Sequence, residues 1–199
     1  MKVCRIEKAL VLGLLLSTSV YGVSFAAAET SIADFKNQAD SSKNISVTED
    51  TVVNGTGTSM GGDETTNALV GYHVTVNEEV KLELNDLARN SMNIDGHGDI
   101  YVNNSQNIGN NGGAIYLNGS ITGNSLTINT EQSGKMKGIY TYGGDVNLDV
   151  NTLTIKAKDD GIYTTGDATS NVNIFTANTV NITSKSGYGI MNNADKTHS

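Results

Sequence analysis

Residues 151–155 read "NTLTI", and the chain repeats that phrase with small changes. Residues 124–128 read "NSLTI", residues 178–182 "NTVNI" and residues 90–94 "NSMNI". Asn124, Asn151 and Asn178, which open three of these phrases, are evenly spaced along the chain. A second phrase accompanies the first: "DIY" at 99–101, "AIY" at 114–116, "GIY" at 138–140 and 161–163, and "GIM" at 189–191. Recurrence on this scale is the mark of stacked repeats, each too small to bury its own apolar face.

One unit, residues 138–160, reads "GIYTYGGDVNLDVNTLTIKAKDD". Three β-like pieces recur in it and in the unit after it: "GIYT", then "VNLDV" or "VNIF" after a Gly/Asp turn, then "TLTIKA" or "TVNITS". Each alternates branched apolar residues with polar ones, the pattern of a half-buried strand. A unit of roughly 23–28 residues is shorter than a propeller blade and lacks the leucine-rich consensus. It suits one turn of a parallel β-helix with three short strands per rung. The expected fold class is all-β, a parallel solenoid with strands near 125–130, 152–157 and 179–184 stacked in register.

Stacked rungs place equivalent residues about 4.8 Å apart, and alternation assigns their faces. Leu126, Leu153, Val180, Ile128, Ile155 and Ile182 are expected to point inward, with Thr127, Thr154 and Asn181 outward. Ile115, Ile139, Ile162 and Ile190 form a second inward column. Tyr116, Tyr140 and Tyr163 then face out as an aromatic ladder, with Tyr142 and Tyr188 near its edges. Asn124, Asn151 and Asn178 sit where stacked amides can bond their equivalents. Gly138, Gly161 and Gly189 fit corners that need unusual backbone angles. Insertions between the two phrases gather at one corner, as at 129–137.

Residues 1–28 stand apart. Lys2, Arg5 and Lys8 precede the apolar run "ALVLGLLL" at 9–16, and Ala26, Ala27 and Ala28 supply small residues for cleavage. This is the pattern of a secretory signal peptide, and its apolar core is shorter than the ~20 residues of a spanning helix. Residues 29–43 read as a spacer or a short capping helix, with Ser31 as cap and Ile32, Phe35 and Ala39 on one face. Residues 44–193 carry the rungs, irregular to about 89 and regular from about 90. In the irregular part, 44–53 and 74–84 read as strands and 54–67 as a loop. Residues 194–199 read as a truncated tail.

Composition supports this division. The chain has 24 Asn and 22 Gly but no Pro or Trp, which favours strands and turns over helix. Its only cysteine, Cys4, leaves with the signal, so no disulfide framework holds the fold. The 13 Lys and Arg and 21 Asp and Glu include three and one in the signal, leaving a mature net charge of −10. An acidic chain lacks the cations that neutralise phosphates, so nucleic acid is not an expected partner. It has no attraction to anionic membranes either.

A signal peptide followed by cysteine-free, Asn/Gly/Thr-rich rungs of the type "NTLTI…GIY…VNL" resembles the N-terminal part of an autotransporter passenger. These are the type V secreted β-helices of Gram-negative bacteria, and the resemblance spans residues 1 to about 193. It implies a right-handed β-helix, export to the cell surface, the outer membrane or the medium, and a role in adhesion or biofilm formation. The partners it implies are a host-surface glycan or protein, or further copies of the chain. A C-terminal translocator barrel is expected with such passengers, and the series of amphipathic strands it needs does not occur in these residues. The chain therefore reads as a fragment of a longer autotransporter.

β-helices also house polysaccharide lyases and hydrolases, which need opposed carboxylates and a basic residue. Asp159 and Asp160, with Lys156 and Lys158 nearby, are the one such grouping, and "KAKDDG" is also ordinary turn chemistry. "DGHGD" at 95–99 resembles one calcium-binding β-roll turn without the tandem copies such sites require, and reads as a turn between strands. His73, His97 and His198 are mutually isolated, and Arg89 is the only mature arginine. No catalytic, cofactor-binding or metal-binding residue is assigned. The expectation is a structural and adhesive interaction module rather than an enzyme, with Tyr116, Tyr140 and Tyr163 as its candidate binding strip. A polysaccharide-active enzyme is the alternative.

Overall fold

The computed structural model describes residues 27–56, 68–87, 92–105, 112–116, 118–134, 136–166, 170–175 and 178–194. Residues 1–26 of the expected signal peptide 1–28, Arg89, His198, most of the loop at 54–67 and the tail from 195 lie outside the described residues. The chain winds into an all-β solenoid whose strand pairs are all parallel. One column stacks β1 (Ala28–Ser31), β3 (Thr51–Asn54), β5 (Lys81–Asn85), β7 (Asp99–Asn103), the later halves of β9 (Gly119–Asn129) and β11 (Val146–Ala157), and β14 (Thr179–Ser184). A second stacks β2 (Asn44–Val47), β4 (His73–Val76), β6 (Met92–Gly96), the earlier halves of β9 and β11, and β13 (Val172–Ile174). A third stacks β8 (Gly113–Tyr116), β10 (Lys137–Tyr142), β12 (Ile162–Gly166) and β15 (Ile190–Ala194).

The expected register is present. Ile155 pairs with Ile128 and Ile182, and Leu153 with Leu126 and Val180. Ile139 lies between Ile115 and Ile162. Leu126, Ile128, Leu153, Ile155, Ile115 and Ile139 are fully buried in one continuous core. Val180 and Ile190 were expected there too, but they are 45% and 64% exposed, and Ile182 is only partly buried. All three belong to the last strand of their columns, where no further described strand covers them.

The sequence pattern misplaces three features. "NSMNI" and "DIY" at 90–101 look like the later phrases but occupy different columns. Ile94 pairs with Ile121 and Ile100 with Leu126, so this rung passes from the second column to the first across one tight corner. Alternation fixes which side chains point inward but not which face a strand joins. Residues 74–84 make two strands, β4 and β5, joined by a corner at which Glu79 adopts a positive φ of 62°. Gly138 and Gly161 have no positive φ. A Cβ on Gly138 would collide with Ile155 Cγ2 and lie 2.6 Å from the Gly161 carbonyl, so these glycines serve close stacking.

At the N-terminal side, helix α1 (Ile32–Asn37) follows β1 directly. The Asp34 N–H donates to Ser31 Oγ at 3.1 Å, and Ser31 Oγ–H donates to Asp34 Oδ2 at 2.7 Å. Ile32 and Phe35 are buried in the common core, with Ala39 packed against it. The cap thus sets the start of the helix, and its apolar face anchors it to the first rungs. No helix among the described residues is long and apolar enough to cross a membrane.

Candidate functional site: a tyrosine ladder and a corner cleft

The outer faces carry ladders of like residues, because parallel in-register stacking places each side chain over its equivalent. Asn85 donates to Asn54 at 3.2 Å and Asn103 to Asn85 at 3.1 Å. Asn173 donates to Asn147 at 2.8 Å. In the expected series, Asn151 reaches Asn124 at 3.4 Å and Asn124 donates to Asp99 at 2.9 Å. Asn178 joins through its backbone N–H to the Asn151 carbonyl at 2.9 Å.

On the third column, Tyr140 and Tyr163 stack with ring centroids 5.4 Å apart and planes 4° from parallel. Facing rings cover each other, so this part of the strip shows solvent its ring edges and hydroxyls rather than a flat platform. Tyr163 Oη accepts from Asn193 Nδ2 at 3.1 Å. Tyr116 shares the backbone register with Tyr140, but the side chains of Tyr116 and Tyr142 lie outside the described residues. Tyr188 is 64% exposed at the corner before β15. Such pairs contribute about 0.5–1.5 kcal/mol beyond their buried area. Tyr140→Ser is therefore expected to lower stability by about 1–2 kcal/mol in urea unfolding. An unchanged midpoint would show the stack to be energetically idle.

Beneath the ladder lies a residue to which the sequence pattern assigns no role. Lys137 opens β10 with the inward parity of Ile139, and only 7% of its side chain is exposed. Its ammonium lies 2.9 Å from Asp159 Oδ2 and 4.0 Å from Asp160 Oδ2, both in the next rung. It sits 4.8 Å from the Tyr163 ring centroid and 6.0 Å from that of Tyr140. The preceding corner is braced from within: Ser133 Oγ donates to the Thr130 carbonyl at 2.7 Å, and Thr130 Oγ1 to the Met136 carbonyl at 3.1 Å. Asp159 and Asp160 thus do converge with a lysine, but it is Lys137. Lys156 is exposed on the first column and Lys158 lies at the corner. A basic residue one repeat-length upstream of "DD" was the available signal.

The corner between the second and first columns forms a cleft of about 500 Å³ lined by Glu78, Glu79, His97, Asp99, Asn124 and Asn151. A shallower hollow of about 440 Å³ continues it past Thr75, Asp95 and Thr122. "DGHGD" is the β6–β7 turn on this edge, as expected. Asp99 is committed there, accepting from Asn124 and from Ser125 Oγ at 2.6 Å. Asp95 Oδ2 pairs with His73 Nε2 at 2.9 Å. Among the described residues no group of three or more His, Asp or Glu is placed to hold a metal ion.

Three carboxylates are held below their ordinary range. Burial alone would raise Asp95, but hydrogen bonds from Thr75 and His73 outweigh it. Glu83 is lowered first by the Lys81 hydrogen bond, against its own burial, and Asp40 by the Asn44 backbone N–H. A depressed folded-state value means that the unfolded chain takes up protons first as pH falls. The contribution of these groups is complete above the unfolded carboxylate range near pH 4 and is lost as pH drops through the lower folded values. The thermal midpoint is expected to fall steeply below about pH 4, and less steeply in Glu83→Gln. Identical acid limbs in both proteins would remove Glu83 from the account.

Fold and outer ladders together define the class, a parallel β-solenoid of imperfect stacked rungs. Comparison with protein-family models, with curated proteins and with solved structures finds no match.

Proposed function

We propose that the chain is an exported, surface-displayed β-solenoid passenger of the autotransporter type, acting by adhesive contact. One observation carries this reading: in-register stacking turns the outer faces into ladders of like residues, such as Asn54–Asn85–Asn103 and Tyr140–Tyr163, backed by a continuous apolar core. Such a face offers repeated hydrogen-bonding groups on a rigid frame, which suits an extended glycan, a host-surface protein or a second copy. The strip of Tyr116, Tyr140 and Tyr163 is the proposed contact, through ring edges and hydroxyls, since tyrosine combines an apolar body with a polar tip.

The test is display on cells with a working translocator barrel supplied. Replacing all three tyrosines by serine is expected to reduce adhesion while the folded passenger remains on the surface. Adhesion that persists undiminished would remove the strip. The enzymatic alternative has its natural place in the corner cleft, whose lining includes the carboxylates of Glu78, Glu79 and Asp99. Release of reducing ends or unsaturated sugars from polysaccharide, abolished in Glu78→Gln/Glu79→Gln, would favour it over adhesion.

A further inference from the structure

We propose that Lys137 and Asp159 condense to an intramolecular amide, a covalent staple joining two successive rungs. The inference rests on the geometry of this corner and is independent of what the outer faces bind. Of the described lysines only Lys137 is buried. Lys81 and Lys185, which pair with Glu83 and Glu131, are 41% and 49% exposed. Lys137 Nζ touches Asp159 Oδ2 at 2.9 Å, which places the amine beside the carboxyl carbon it would attack. Reacting groups held in contact need no encounter step.

A second carboxylate supplies the proton transfer. Asp160 is 9% exposed, and its Oδ1 is fixed by the Tyr188 N–H at 2.8 Å. Its Oδ2 lies 4.0 Å from the same ammonium. The Tyr163 ring covers Nζ from another side. Asp159 is 30% exposed, so water can leave past it.

The atoms balance without a further reactant. Within the ion pair, the ammonium passes one proton to Asp159, giving a neutral amine and a carboxylic acid. The nitrogen lone pair attacks Cγ. The Asp160 carboxylate takes a second proton from the nitrogen of the tetrahedral adduct and returns it to the departing hydroxyl. One N–C bond forms, one C–O bond breaks and one water leaves, with no change of oxidation state. A buried ion pair is costly to desolvate, and the amide replaces both charges with a neutral group. The bond can form only after the rungs stack, because Lys137 and Asp159 lie 22 residues apart.

Intact-mass measurement on the folded full chain, referenced to its own N-terminal sequence, tests the proposal. The expected result is a mass lower by one water, with a branched peptide joining the Lys137 and Asp159 segments after digestion. Lys137→Met should restore the full mass. Asp159→Asn should still cross-link but lose ammonia instead of water, which keeps the test sharp if Lys137→Met fails to fold. Asp160→Asn should retain the fold by circular dichroism and cross-link at least tenfold more slowly. A folded chain of unshifted mass overturns the proposal. So does a water loss that survives in Lys137→Met, since a succinimide at Asp160–Gly161 has the same mass change.

Discussion

Ile155→Asp is expected to abolish cooperative folding of the regular rungs, whereas Thr154→Asp is expected to be nearly silent. The two positions are adjacent in β11 and differ only in parity. Ile155 is fully buried between Ile128 and Ile182, and Thr154 is half-buried on the outside between Thr127 and Asn181. An aspartate at 155 would lose the apolar contacts and place a carboxylate between Ile128 and Ile182 in the core. Such a change costs about 4 kcal/mol or more, a large part of the ~5–15 kcal/mol that holds a domain together. Thr154→Asp should cost within about 1 kcal/mol, the added negative charge included. Urea unfolding followed by far-ultraviolet circular dichroism distinguishes them. Equal losses at both positions would mean that the faces have been assigned wrongly.

Gly96→Ala is expected to be nearly as damaging, though it adds one methyl group. Gly96 ends β6 with a φ of +118°, and a Cβ there would run into the Val76 carbonyl, its carbon at 2.8 Å. That carbonyl belongs to the rung below and is itself engaged, accepting from the His97 and Gly98 N–H groups at 3.0 and 3.3 Å. Neither backbone can yield without breaking the β4–β6 pairing. The control is Gly143→Ala, where φ is +72° but nothing lies within 4 Å of the added atom. Gly143→Ala should show the backbone penalty alone, about 1 kcal/mol. Gly96→Ala should add the collision, about 3 kcal/mol or more in total. Matching losses would mean that the corner relaxes freely and that stacking there is loose.

Where two independent signals coincided, the sequence was a sound guide. Between residues 113 and 184 the even spacing of the phrases and the strand alternation agree, and so strands, register and most of the core follow from them. Around residues 90–101 the letters resemble the later phrases, but which column a strand joins depends on corner length and on the rung below. "NEE" at 77–79 was the visible break inside an apparently continuous strand. The ladder of Tyr140 and Tyr163 was legible from outward parity alone. The burial of Lys137 was not, because it depends on the carboxylates of Asp159 and Asp160, which the next rung contributes. Glu78 and Glu79 line a cleft together with residues as distant in sequence as Asn151, a juxtaposition that no local window contains.

The short step between paired residues has a kinetic meaning. Ile128 meets Ile155, and Ile155 meets Ile182, across equal lengths of chain, and the other rungs also pair with their immediate sequence neighbours, as Thr51 with Leu82 and Lys81 with Asp99. Each new rung therefore closes a loop of modest size onto a neighbour already formed, and the entropic barrier per rung does not grow with chain length. Folding can therefore proceed one rung at a time, each rung serving as the edge on which its neighbour pairs. The repeat that sets the architecture thereby also keeps assembly local, rung upon rung.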